Sequence, residues 1–253
     1  MLIPIFALLA VVLYLVATAM LARPLFGRDA AATAPSLAIA SAAVLAHAGV
    51  LFSAHRGALD LHFFAALSLV AGVVSALTLI VNLSRPVAAL GVIVFPLSAL
   101  LLGIDMFAAP ATTPQAMDWQ IKLHVTVALL AFSVLSIAAA LAILLALQER
   151  ALPPLTLTET LLFRLIGAGF ALLSLTLLTG ILFVDNLFAQ HLVHKTVLSI
   201  VAWLVFGVLL WGRWRHGWRG RRAVNMTLSG MAILLLAFFG SKFVLEVILH
   251  RDA

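Results

Sequence analysis

The side chains that could do chemistry in this chain are almost all imidazoles. Its 253 residues hold eight histidines, nine carboxylates and no cysteine. The missing thiols exclude disulfides, thiolate metal centres and a thiol nucleophile together. Serine-hydrolase, P-loop, dinucleotide-binding and H-E-x-x-H patterns are absent as well. The histidines are His47, His55, His62, His124, His191, His194, His216 and His250. His191 and His194 are three apart, which places them on one face of any helix that carries both. His47 lies inside an apolar run, where an ionisable side chain is costly and faces a bundle interior or bonds a neighbouring carbonyl. Asp105, Asp185 and Glu246 lie near the ends of apolar runs, and Glu246 sits four residues from Lys242, close enough to neutralise it.

The elements that must position these groups follow from composition. Hydrophobic residues make up 65% of the chain and charged residues only 9%, against roughly 25% charged in a soluble domain. Mean hydropathy is +1.23. A water-soluble core of this size has no way to cover so much apolar surface. Eight segments reach the ~20 residues that a spanning helix needs: Leu2–Ala22, Pro35–Ala54, His62–Leu83, Val87–Ala108, Trp119–Leu147, Thr160–Val184, Lys195–Gly212 and Met226–Leu249. The runs are continuous and do not alternate, which argues against a β-barrel. The expected fold is all-α, a polytopic transmembrane bundle forming a single integral membrane domain over residues 1–253. The first run has no basic residue before it and is too long for a signal-peptide core, so it reads as a retained span. Pro24, Pro86, Pro110, Pro114, Pro153 and Pro154 fall between spans, where a missing amide proton costs little. Pro96 falls inside the fourth and is expected to kink it unless neighbours compensate. Thr156 to Glu159 reads as a capping box opening the sixth.

Basic residues set the expected orientation. With the N-terminus outside, ten Arg and Lys residues fall on the inner side and five on the outer, which favours both termini outside. Arg213 to Arg222, with Trp214 and Trp218 interleaved, reads as an inner interfacial anchor, Arg for anionic headgroups and Trp for the headgroup layer. The formal charge of +6 is dispersed between apolar runs, so it does not indicate nucleic acid. On this topology seven of the eight histidines belong to the outer half. His47, about 12 residues into its span, is roughly 18 Å from the inner end. His55, His62, His216 and His250 also suit ordinary surface or interfacial positions. Neutral imidazoles in an apolar, outward-facing bundle suit haem: iron accepts axial histidine nitrogens, the macrocycle is apolar, and Lys122, Lys195 or Lys242 could meet its propionates. Zinc fits less well, because carboxylate partners are scarce there.

The stretch His194-Lys-Thr-Val-Leu-Ser-Ile-Val-Ala-Trp203, then Trp211-Gly, Gly217-Trp-Arg-Gly-Arg-Arg222 and Phe238-Phe-Gly-Ser-Lys-Phe243, resembles the cytochrome c assembly family of haem-handling membrane proteins (the CcsA/CcmC type), above all its small YpjD-like branch. Leu123 to Phe132 resembles that family's histidine-bearing helix. The resemblance covers essentially the whole chain. It implies a bacterial inner-membrane protein of c-type cytochrome maturation that binds haem b, with assembly components as partners beside the lipid bilayer. By position His124 matches the histidine ahead of the family's tryptophan-rich loop, and His250 loosely matches the one behind it. His47 and His62 are candidates for a buried pair. The expected cofactor-binding residues are thus His47, His62, His124, His191, His194 and His250, with His47 and His124 as iron ligands. One departure is plain: the segment from Asp185 to His194, where that loop should lie, has no tryptophan. His191 and His194 could substitute, or this branch could keep the fold without haem.

The leading expectation is therefore a haem-binding or haem-escorting protein with no bond-making chemistry of its own. A solute or ion transporter using Asp105, His47 and His124 is the alternative, though paired broken helices are not evident. A scaffold that retains the fold without haem is the third reading.

Overall fold

The computed structural model describes residues 2–23, 33–54, 60–84, 87–107, 117–148, 156–183, 190–240 and 242–248. Among these there is no strand. Eight helices follow one another: α1 Leu2–Ala22, α2 Thr33–Ala54, α3 Phe63–Ser84, α4 Gly91–Phe107, α5 Trp119–Gln148, α6 Thr156–Phe183, α7 Gln190–His216 and α8 Gly220–Leu235. A 3₁₀ turn, Ala88–Leu90, leads into α4, α8 runs on into a wider π turn at Leu236–Gly240, and a second π turn spans Phe243–Ile248. All eight, α4 taken with its 3₁₀ turn and α8 with its first π turn, are long and apolar enough to cross a membrane. This form suits a hydrocarbon solvent, because a helix satisfies its own backbone amides. α4 continues through Pro96.

The chain packs as two compact units, Met1–Ala116 and Met117–Ala253. In the first, α1 packs on α2 and α4, and α3 packs on the same two helices. The buried face of α1 is a seam of small residues, Ala7, Ala10 and Ala17, broken by Tyr14. Ala7 and Ala10 meet Val50 of α2 and Leu102 of α4. Lipid tails are as apolar as leucine, so close backbone approach and hydrogen bonds, not hydrophobicity, hold such helices together.

Polar side chains supply those bonds at the centre of this unit. His47 of α2 is wholly buried. Its Nδ1 lies 3.3 Å from the Tyr14 hydroxyl of α1, and its Nε2 lies 3.2 Å from Ser68 Oγ of α3. Ser75 lies beside the Tyr14 hydroxyl and is 2.7 Å from Ser98 Oγ of α4. Ser98 in turn reaches the Ala71 carbonyl at 3.1 Å. A carbonyl only accepts, so one consistent chain of donation runs from Ser68 through His47, Tyr14, Ser75 and Ser98 to Ala71. Tyr14 also stacks on Phe95 at 5.8 Å and meets the imidazole edge-on at 5.9 Å. One neutral histidine thereby joins α1, α2 and α3.

In the second unit α5 packs against α6 and α8, and α7 packs against the same pair. α5 is buried on nearly every side over residues 137–142. Glycines set the closest approaches: a Cβ at Gly169 would lie 2.6 Å from the Leu135 side chain, and one at Gly230 2.8 Å from Phe206. Between α6 and α7, Trp203 stacks on Phe170 at 5.3 Å and donates its indole N–H to Ser174 Oγ at 2.7 Å.

The basic stretch differs from its expected form. α7 extends to His216 and α8 begins at Gly220 rather than Met226, so the connector is only residues 217–219. Gly217 takes φ +65°, and its N–H caps the Arg213 carbonyl at 3.1 Å, the left-handed helix ending that glycine permits. Trp218 folds back onto Gly212, and Arg222 lies 4.9 Å over its ring. Arg213 bonds the Trp218 carbonyl and covers Phe163 of α6 at 4.6 Å. Trp211 and Trp214 remain exposed.

Glu159 accounts for the early start of α8. The sequence suggests that this carboxylate folds back on the start of α6; instead it reaches across to α8. Oε1 accepts the Gly220 N–H at 2.9 Å, and Oε2 accepts Arg219 Nε at 2.8 Å. Arg219, the N-cap residue, offers no side-chain cap of its own. Arg221 and Arg222 oppose the positive end of the α8 dipole, and the Glu159 carboxylate offsets them.

Two outcomes follow. Glu159→Ala should cost about 1–2 kcal/mol and Glu159→Gln less, since its amide oxygen still accepts from Gly220; thermal unfolding in detergent by circular dichroism should rank wild type, Gln and Ala in that order. Tyr14→Phe and His47→Ala should each destabilise, and their double-mutant cycle should return a coupling of about 0.5–2 kcal/mol; strict additivity would show that the hydroxyl–imidazole contact contributes nothing.

Candidate functional site

Three of the six histidines expected to bind a cofactor have described side-chain partners, and these sort them into two kinds. His47 has both ring nitrogens engaged by hydroxyls. Among the described residues, His62 and His124 each have a side-chain partner on one nitrogen only.

His62 immediately precedes α3, and its side chain is 22% exposed. The carboxylate of Asp60, two residues earlier, is fully buried. Asp60 Oδ1 accepts the His62 backbone N–H at 2.9 Å and faces His62 Nδ1 at 2.6 Å. The first contact is an Asx turn, which fixes the backbone into α3. The second is a short charge-assisted bond that requires the proton on Nδ1. Nε2 has no hydrogen-bond partner among the described residues.

His124 lies in the second turn of α5, half-buried, with Nδ1 3.0 Å from Thr179 Oγ1 of α6. The Thr179 hydroxyl is itself 2.9 Å from the Leu175 carbonyl and 3.0 Å from the Thr176 carbonyl. Its single proton can go to either carbonyl, which leaves its lone pairs to face Nδ1. The Thr176 carbonyl lies beside the imidazole as well. Nε2 again has no hydrogen-bond partner among the described residues. At the same end of the pair, Trp119 of α5 packs edge-on against Phe183 of α6 at 6.0 Å, and Lys122 is exposed. Trp119 and Phe183 lie five and four residues from His124 and Thr179 on the same two helices, whereas the segment from Asp185 to His194 has no tryptophan.

His191 and His194 both lie on α7, which begins at Gln190, so the helical condition for a shared face is met. His194 is exposed, and the His191 side chain lies outside the described residues. His250 and His55 lie outside them too. His216 ends α7 and stacks near Trp218 at 6.1 Å. Among the described residues no three His, Asp or Glu groups converge as a metal cluster; haem iron needs only axial imidazoles from the protein. Asp105 is buried in α4.

Sequence reasoning missed Asp60, Thr179, Tyr14 and Ser68. Two of these left a signal. Tyr14 is the only tyrosine in the chain and stands in an apolar span, and Asp60-Leu-His62 has the spacing of a local Asx contact. Thr179 and Ser68 could not be paired with their histidines before the helices were placed.

Residues 30–249 match the family described as cytochrome C assembly protein. The inner membrane protein YpjD of Escherichia coli strain K12 is 43% identical over 136 residues, 49% of this chain and 52% of its own length. The cytochrome c biogenesis protein CcsA of Trichormus variabilis is 31% identical over 91 residues, 34% of this chain and 26% of that protein. Its counterpart in Chlamydomonas reinhardtii is 24% identical over 175 residues, 62% of this chain and 49% of that protein. The chain spans about half the length, or less, of these curated relatives. No solved structure matches it. The match over residues 30–249 covers most of both compact units, and the chain belongs to the cytochrome c assembly protein family.

Proposed function

We propose that this chain is an inner-membrane haem-binding protein of c-type cytochrome biogenesis, with both termini on the outer side, which holds or escorts haem b near that face and makes no covalent bond itself. The observation that carries the reading is the contrast among these three imidazoles. His62 and His124 are each tied down through Nδ1, with no partner for Nε2 among the described residues. An imidazole ligand held by its other nitrogen is the usual arrangement at protein metal centres. His47 is engaged on both sides and serves as a pin for its unit, not as an iron ligand. Haem, when bound, brings an iron that takes axial nitrogen ligands, and the protein's levers on it are ligand basicity, burial and orientation. Trp119 and Phe183 offer apolar surface to a macrocycle beside His124, and Lys122 offers a cation to a propionate. His191, His194 and His250 stand as further candidate ligands by position in the sequence. The presence of CcsA proteins among the relatives supports the assignment to cytochrome c biogenesis.

The test is the visible spectrum of protein purified in mild detergent from haem-replete cells, with a haemin titration of the same preparation. Wild type should show a Soret band. His62→Ala and His124→Ala should each weaken haemin binding at least ~10-fold. His47→Gln should bind haemin like the wild type. A colourless wild type that gives no spectral change with haemin would reject the reading, and so would undiminished binding by both alanine variants.

A further inference from the structure

The partners of His62 and His124 differ in chemistry yet make the same demand on the ring. Asp60 is a carboxylate, which when ionised presents only acceptor oxygens. Its Oδ1 sits 2.6 Å from His62 Nδ1 and is held in place by the His62 N–H at 2.9 Å. Thr179 is a hydroxyl, able in principle to donate or accept. Its surroundings remove that freedom, because Oγ1 lies within 3.0 Å of the Leu175 and Thr176 carbonyls, to which its one proton can go. A proton sent instead to Nδ1 would abandon both of those contacts. We infer that Asp60 and Thr179 are positioning residues that fix His62 and His124 as Nδ1–H tautomers with the Nε2 lone pair presented outward.

Neither residue touches the iron in this scheme; each acts through its histidine. The two devices arise independently, one in a local turn before α3 and the other across the α5–α6 pair. They also act with different strength. A carboxylate on Nδ1–H pushes electron density into the ring and makes Nε2 a more basic donor, which favours ferric over ferrous iron. A hydroxyl orients the ring with little change in its basicity. The inference rests on the haem reading for its purpose, whereas the tautomers themselves are a property of the haem-free protein.

That separation defines the experiment. Nitrogen-15 spectra of histidine-labelled, haem-free protein in detergent report which ring nitrogen carries the proton. His62 and His124 of the wild type should both appear as Nδ1–H. Thr179→Val should release His124 into a mixture of tautomers, and Thr179→Ser should restore the wild-type signal, since serine keeps the hydroxyl. Asp60→Asn should leave His62 less strongly polarised. With haemin, Thr179→Val and Asp60→Asn should each lose about 10- to 100-fold in affinity, and Asp60→Asn should raise the reduction potential of whatever fraction binds. Folding of every variant is checked by helical circular dichroism. An Nε2–H tautomer at His124 or His62 in the wild type would overturn the inference, as would a Thr179→Val protein whose His124 signal is unchanged. Wild-type protein that shows both tautomers but takes up no haemin would overturn the haem reading and leave the tautomer assignments standing.

Discussion

Hydrocarbon offers no hydrogen bonds, so an imidazole or hydroxyl carried into an apolar span is stabilised by finding a partner within the protein. In the first unit this demand gathers α1, α2, α3 and α4 around His47, Tyr14, Ser68, Ser75 and Ser98. In the second it makes Thr179 face His124 and Ser174 face Trp203. Apolar packing alone would leave the helices free to rotate against one another, because leucine gains nothing by exchanging a lipid tail for a neighbour. The polar contacts remove that freedom, and the small residues of α1 and the glycines at positions 169 and 230 let the backbones come close enough to make them.

The same constraint separates structural from available histidines. A ring with both nitrogens bonded to hydroxyls is finished; it has satisfied its polar groups and has nothing left to offer. A ring with one nitrogen fixed and the other open is oriented and still has a lone pair to give. Burial alone does not reveal this difference, since His47 is the most deeply buried histidine among the described residues with partners and yet the least available. The number of nitrogens already engaged is the discriminating quantity, and it places His62 and His124 in one class and His47 in the other.

Much of the fold was legible from composition, because lipid tolerates so few alternatives. The spans in the N-terminal half fall within a few residues of their expected limits. The larger differences cluster where charge meets a helix end: α7 gained a turn through Arg215 and His216, and α8 began six residues early. Hydropathy places no helix over Arg219 to Arg222, and the reason a helix forms there lies 60 residues away, in the Glu159 carboxylate that reaches Gly220 and Arg219. The histidines themselves were visible in the sequence, but their partners were not, except for the local Asp60–His62 spacing. Contacts between residues 33 or 55 positions apart, such as Tyr14–His47 and His124–Thr179, leave no periodic trace.

The central claim, that available and finished histidines divide by their engaged nitrogens, is tested most directly by carbethoxylation of the native protein in detergent, with and without haemin, read residue by residue by mass spectrometry. The reagent attacks an unprotonated imidazole nitrogen. His62 and His124 are predicted to react in the haem-free protein and to be protected by haemin, while His47 stays unmodified in both. Modification of His47 together with inert His62 and His124, or haemin protection confined to His47, would contradict the account.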